Sequence, residues 1–339
     1  MKRTILLIIL AILSLSSFAQ KYHIKQLNLP YKINPYEGKR DTQIYDIGDN
    51  LRLTYYKPKF TDIFINAVKD IGNFAYVITR KESLPWVGAA ISATAAIIPI
   101  DGKAIDWTHR GMTDIGIDSK KEFGDMLSVG GSSLLVYPKN INSALYFMGE
   151  GFPSIMIGAG LYTYGLINND YRSLQTANQL MEELLSMGLT CQFIKHITGR
   201  QSPSRVTDGG SGTWHIFPNQ SNYMSSVSNY DAMPSGHMAT MMCTVTILAD
   251  NYPEYKLIKP IGYSIMGAVG LAMMNNKVHW LSDYPLAIGI GYTMGKIISA
   301  RGRKVSYRDV PYSNVVGRTS IYPTFINTSN FSLSLVYHL

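Results

Sequence analysis

Three short segments hold residue types that together could cleave a phosphoester. They are Lys195-His196-Ile197-Thr198-Gly199-Arg200-Gln201-Ser202-Pro203, Met233-Pro234-Ser235-Gly236-His237 and His279-Trp280-Leu281-Ser282-Asp283. Such cleavage needs a nucleophile, a proton donor for the leaving oxygen, and positive groups around the equatorial oxygens. His279 can attack phosphorus with a ring nitrogen. Asp283 follows four residues later. If a helix has begun there, its carboxylate shares a face with His279, where it can fix the tautomer and stabilise the imidazolium. His237 can donate a proton to the leaving group and later activate water. Ser235 and the Gly236 amide fall at an expected helix start, where unpaired N–H groups favour an anion. Lys195 supplies a cation at the end of the preceding helix. Each element has an ordinary alternative. A His beside Trp280 is more often structural, Pro-Ser-Gly is a common turn and capping sequence, and an Asp four residues after a His can be a surface pair. Their coincidence in one order is much more specific than any of them alone.

In order and spacing the segments resemble the motifs of the histidine-dependent phosphatases, the superfamily of type-2 phosphatidic acid phosphatases and vanadium haloperoxidases. Its motifs are Lys, six residues and Arg-Pro; Pro-Ser-Gly-His; and Ser-Arg, five residues, His, three residues and Asp. The resemblance covers roughly residues 140–300. It implies a mainly α fold, a helical bundle of the phosphatase/haloperoxidase type. It also implies His279 as nucleophile, His237 as acid and base, Asp283 as orienter, phosphate on Lys195, Ser235 and Gly236, and neither metal nor other cofactor.

Two positions depart from that pattern. Ser202 stands where the motif has Arg, and Ala272-Met273 where it has Ser-Arg. In the family those arginines grip phosphate bidentately, which neither Ser nor Met can do. Losing them removes about 1.5–3 kcal/mol of transition-state stabilisation each. Arg200, Arg205 and Lys277 are near in sequence and are candidate replacements, with Arg200 assigned to the phosphate. The retained groups favour an active but atypical phosphatase acting on a phosphate monoester or pyrophosphate, with a lipid phosphate the preferred substrate. The alternatives are a catalytically weakened relative that binds phospholipid or other anionic ligands, and a soluble acid phosphatase.

The elements that must position these residues are mostly helical. The chain has 339 residues, 46% hydrophobic and 16% charged, with a formal charge of +8. A sizeable core is available, and anionic partners suit the charge. No zinc spacing, ribonucleoprotein motif or basic helix supports nucleic acid as a partner. Mean hydropathy is +0.01, which permits membrane embedding without requiring it. Lys2, Arg3, the apolar residues 5–15 and Ser17-Phe18-Ala19 read as a secretory signal over 1–19. An exported protein, periplasmic or membrane-associated, is expected.

Residues 20–60 are polar, Tyr- and Pro-containing and weakly patterned, and predict a surface-wrapping or partly ordered lead-in. A helical phosphatase-like domain is expected over 61–304. Within it, 173–194 shows Ala177, Leu180, Leu184, Met187, Cys191 and Ile194 on one side, with Glu182 and Glu183 elsewhere. Gly291 and Gly295 are spaced for close helix approach. The tail, 305–339, predicts a β-hairpin from strands over 321–326 and 331–337. Cys191 and Cys243 lie in apolar helical surroundings, where buried free thiols are expected, with pairing open only if the fold joins them.

Overall fold

The computed structural model describes residues 36–338, apart from 37, 49, 130–131, 208–209, 308–317 and 328–329. The expected export signal lies outside the described residues.

The architecture is mainly α. Helices α1 (Asp62–Thr79), α2 (Leu84–Ile97) and α3 (Asp101–Asp114) come first, the last two joined by a 3-10 turn at Ile98–Ile100. Then come α4 (Ile141–Gly149), α5 (Phe152–Asn168), the 28-residue α6 (Tyr171–Thr198) and the short α7 (Gln220–Ser225). The bundle is completed by α8 (Gly236–Asn251), α9 (Ile258–Asn275) and α10 (Tyr284–Ala300). The ends follow local chemistry. Pro85 and Pro153 occupy first-turn positions, where a missing N–H costs nothing. The Asp170 side chain caps α6 by accepting from Ser173 N–H at 2.7 Å.

The core centres on α8 packed against α10. A Cβ on Gly291 would stand 2.2 Å from the Ala239 carbonyl oxygen, and one on Gly295 2.7 Å from Thr246 Cβ. These two glycines therefore let the helix backbones approach, as their spacing predicts. Cys191 and Cys243 are buried free thiols.

Three features differ from expectation. The lead-in contributes two strands, β1 (Thr42–Ile47) and β2 (Leu51–Tyr56), rather than an irregular wrap. Strand β2 alternates, burying Leu51, Leu53 and Tyr55, and pairs antiparallel with β5 (Arg303–Tyr307) after the last helix. A second hairpin, β3 (Phe123–Val129) with β4 (Ser132–Pro138), interrupts the expected helical region. Thirdly, α6 is not polar on one side. Glu182 and Glu183 are both buried. Glu182 lies 3.4 Å from Arg301, and Glu183 accepts from Ser154 at 2.6 Å and Thr244 at 2.7 Å. Burying a carboxylate requires such partners, and these come from other parts of the chain.

The C-terminal hairpin is present as β6 (Arg318–Asn327) and β7 (Asn330–His338), antiparallel with Phe325 opposite Phe331. Outside the core, large apolar side chains face outward on α2 and α5, among them Trp86, Met156, Leu166 and Ile167. The stretch Leu84–Asp114 is long and apolar enough to cross a membrane, and most of it is not covered by protein.

Candidate active site

The three segments converge where α6 ends and α8 and α10 begin. Helix α6 delivers Lys195 in its last turn and stops at Gly199, whose φ of 52° is left-handed. A Cβ there would meet the His215 carbonyl oxygen at 1.8 Å, so this tight exit requires glycine. Ser235 caps α8, its hydroxyl accepting from Met238 N–H at 3.4 Å. The first-turn N–H groups of Gly236 and His237 have no intrahelical acceptor, and a Cβ on Gly236 would find nothing within 4 Å. Open space thus adjoins the positive end of a 16-residue helix.

His237 and His279 meet directly. His237 Nδ1 lies 3.1 Å from His279 Nε2, with the rings near perpendicular at 70°. His279 Nδ1 is 2.7 Å from the Ala232 carbonyl oxygen. A carbonyl only accepts, so Nδ1 carries the hydrogen and Nε2 keeps its lone pair. It follows that His237 Nδ1–H donates to His279 Nε2. His237 Nε2 is then the bare nitrogen; it is buried and without a partner among the described residues. Burial pushes the His237 pKa well below the ordinary imidazole range, and the charges of His279, Lys195 and Lys121 act in the same direction.

Asp283 is close to His279 but placed differently from expectation. Residues 281–283 form a 3-10 turn, and α10 starts only at Tyr284. Asp283 Oδ2 accepts the Trp280 backbone N–H at 2.7 Å and is 3.7 Å from His279 Nδ1. Asp283 is therefore an ionic neighbour of the imidazole, and the Ala232 carbonyl selects the tautomer.

Arg200, assigned to phosphate from the sequence, faces elsewhere. Its side chain is 0% exposed and donates to Asp283 and to Asp101, each at 2.6 Å. Ser282 Oγ and the Ser211 carbonyl take further hydrogen bonds, and the rings of Trp214 and Trp280 lie against the guanidinium. The guanidinium is thus engaged by two buried carboxylates, one of them Asp283. Asp101, the first residue of α3, also accepts from the Ser282 N–H at 3.0 Å and Ser282 Oγ at 2.5 Å.

The departures occupy quiet positions. Met273 is fully buried in an apolar cluster with Val269 and Ala272. Ser202 is buried and donates to Asp231 at 3.4 Å. Lys195 Nζ lies 3.6 Å from the other oxygen of Asp231. Arg205 donates to Ser228 at the surface, and the Lys277 carbonyl accepts from Ser204 N–H. Four further residues surround the histidines or their support, and none is marked by a motif: Asp101, Lys121, Tyr146 and Gly149. The Tyr146 ring is 5.5 Å from that of His237. A Cβ on Gly149 would approach His237 Cδ2 to 2.7 Å, so α4 ends flush against the imidazole.

The motif order and this convergence agree with the family comparison. Residues 178–306 match the PAP2 superfamily model. All three motif segments lie inside it, whereas Asp101, Lys121, Tyr146 and Gly149 precede it. No curated protein matches the chain. Among solved structures it is similar to a transmembrane PAP2-type phosphatidylglycerolphosphate phosphatase from Bacillus subtilis. Identity is 14%, over 71% of this chain and 94% of that one, with a TM-score of 0.29. The match to the PAP2 superfamily over 178–306 supports a phosphatase-type function.

Proposed function

We propose that the protein is an exported, membrane-associated phosphatase that hydrolyses a phosphate monoester or pyrophosphate, preferably of a lipid, through a phosphohistidine on His279. The observation that carries this reading is the His279 tautomer, protonated on Nδ1 by the demand of the Ala232 carbonyl. A bare Nε2 is the form that can attack phosphorus.

In the first step Nε2 bonds to phosphorus and the ester P–O bond breaks, with its electron pair going to the leaving oxygen. His237 transfers a proton to that oxygen. In the second step water attacks phosphorus, its proton passes to His237, and the P–N bond breaks to release inorganic phosphate. A phosphoryl group cannot enter while the 3.1 Å contact between the rings is intact, so substrate binding opens it. Burial keeps His237 neutral in the empty site, and the charge of a bound phosphate favours its protonation. Lys195 and the α8 N-terminus stabilise the equatorial oxygens. The outward apolar residues of α2 and α5 support a lipid-bearing substrate met at a membrane surface.

A second reading, an anion-binding relative with a weakened site, is favoured by Asp231 beside Lys195 and by Ser202 and Met273. Turnover separates the two. The full chain in detergent should release phosphate from phosphatidic acid or a generic phosphomonoester. Acid-labile phosphate should be trapped on the protein, and His279→Ala should lose both signals. Phosphate binding with no turnover in the wild type would support the binding protein instead.

A further inference from the structure

The PAP2 pattern lacks two cations here, and the motif-proximal candidates do not replace them. Arg200 is held by Asp101 and Asp283, and Arg205 bonds Ser228 at the surface. A phosphoryl transition state still spreads negative charge over three oxygens, and Lys195 alone is a thin answer beside Asp231. We propose that Lys121, on the segment between α3 and β3, supplies the second phosphate cation of this site. The proposal rests on the phosphatase reading above and names a further substrate-binding residue within it.

The geometry comes from two contacts of the Tyr146 ring. Lys121 Nζ lies 3.8 Å from the centroid of the Tyr146 ring, and that ring is 5.5 Å from the His237 imidazole. The aromatic face holds the ammonium beside the histidine pair without neutralising it. Among the described residues no carboxylate reaches ion-pair distance of Lys121. Lys195, by contrast, has Asp231 at 3.6 Å. Lys121 stays open to solvent, its pKa is lowered by partial desolvation, and the charge of Glu150 opposes this. Both lysine charges bear on His237. The segment is anchored on either side. Lys120 N–H donates to Asp118 at 2.7 Å, the Lys120 carbonyl accepts from Asn140 and Asn142, and Glu122 N–H donates to Ser143 at 2.7 Å. Lys121 is therefore presented from a fixed backbone, and its flexible stem allows the ammonium to leave Tyr146 for a phosphate oxygen.

The test uses the full chain with Lys121→Gln, Lys121→Arg and the net-charge control Lys120→Gln, all checked for wild-type melting. Affinity for inorganic phosphate and orthovanadate is measured by titration calorimetry, and kcat/KM on a phosphomonoester in parallel. Lys121→Gln should weaken both anions and lower kcat/KM by about ten- to hundredfold, the range for one charge-assisted contact. Lys121→Arg should recover most of the loss, and Lys120→Gln should stay near wild type. A Lys121→Gln protein that binds phosphate like wild type would overturn the proposal, and so would an Arg variant as weak as the Gln one. Phosphate binding that depends on Lys121 in a protein without turnover would uphold this residue and refute the catalytic reading. A wild type that neither binds nor turns over would refute both.

Discussion

Replacing Arg200 by Met tests whether this residue serves the fold or the ligand. Met keeps much of the side-chain length and removes the charge. In the native protein the guanidinium is unexposed and lies 2.6 Å from both Asp101 and Asp283. Removing one partner of a buried ion pair costs about 3–5 kcal/mol, because the other charge is left unpaired. Here two carboxylates are left. The Ser211 carbonyl also loses its donor. At about 2–4 °C per kcal/mol for a domain of this order of size, Tm should fall by roughly 6–20 °C. Adding Asp101→Asn removes one of the stranded charges. The double variant should then melt above the single one, with a coupling of about 1–3 kcal/mol. The assay is thermal melting in a fixed detergent, with phosphate affinity measured on folded protein well below Tm. Unchanged melting together with a tenfold loss of phosphate affinity would refute the argument and return Arg200 to the ligand site.

Two further changes probe the histidine pair. Gly149→Ala places a methyl 2.7 Å from His237 Cδ2 and 2.9 Å from Val269 Cγ1. Overpacking of this kind costs about 1–3 kcal/mol, and displacement of the imidazole by a fraction of an ångström should lower kcat about tenfold or more with KM little changed. Unaltered kcat would show that α4 does not seat the ring. For His237 the pKa is depressed on folding, so the unfolded chain takes up the proton first as pH falls. Its neutral form therefore carries no stability cost above the unfolded value near ~6.5, and stability declines below it, by up to about 1.4 kcal/mol per pH unit until the folded pKa is reached. Melting curves from pH 8 to pH 5 should show the wild type losing more Tm than His237→Gln. Parallel curves would show that His237 titrates normally.

Much of this site was legible in one dimension. The motif order brought Lys195, Ser235, His237, His279 and Asp283 to one end of the bundle, because each sits at the edge of an apolar helical run. The Gly291 and Gly295 spacing anticipated the close α8–α10 contact, and alternation anticipated the C-terminal hairpin. Helix periodicity, caps and turn residues act over a few positions, so the sequence by itself determines them. The same local rule would have found β2, where Leu51, Leu53 and Tyr55 alternate with more exposed residues.

Other features depended on a choice among distant partners. Arg200 could face phosphate or carboxylates, and Asp101, 99 residues away, decided for the carboxylates. The tautomer of His279 followed from the Ala232 carbonyl 47 residues earlier rather than from Asp283 four residues later. Glu182 and Glu183 could face solvent until Arg301, Ser154 and Thr244 made burial tolerable. Lys121 carries no motif and became a candidate only when Tyr146 placed it beside His237. Side-chain charge and hydrogen-bond capacity are properties of a residue type, which the sequence states. Which partner satisfies them depends on distance and on exclusion of water, and only the packed chain sets those.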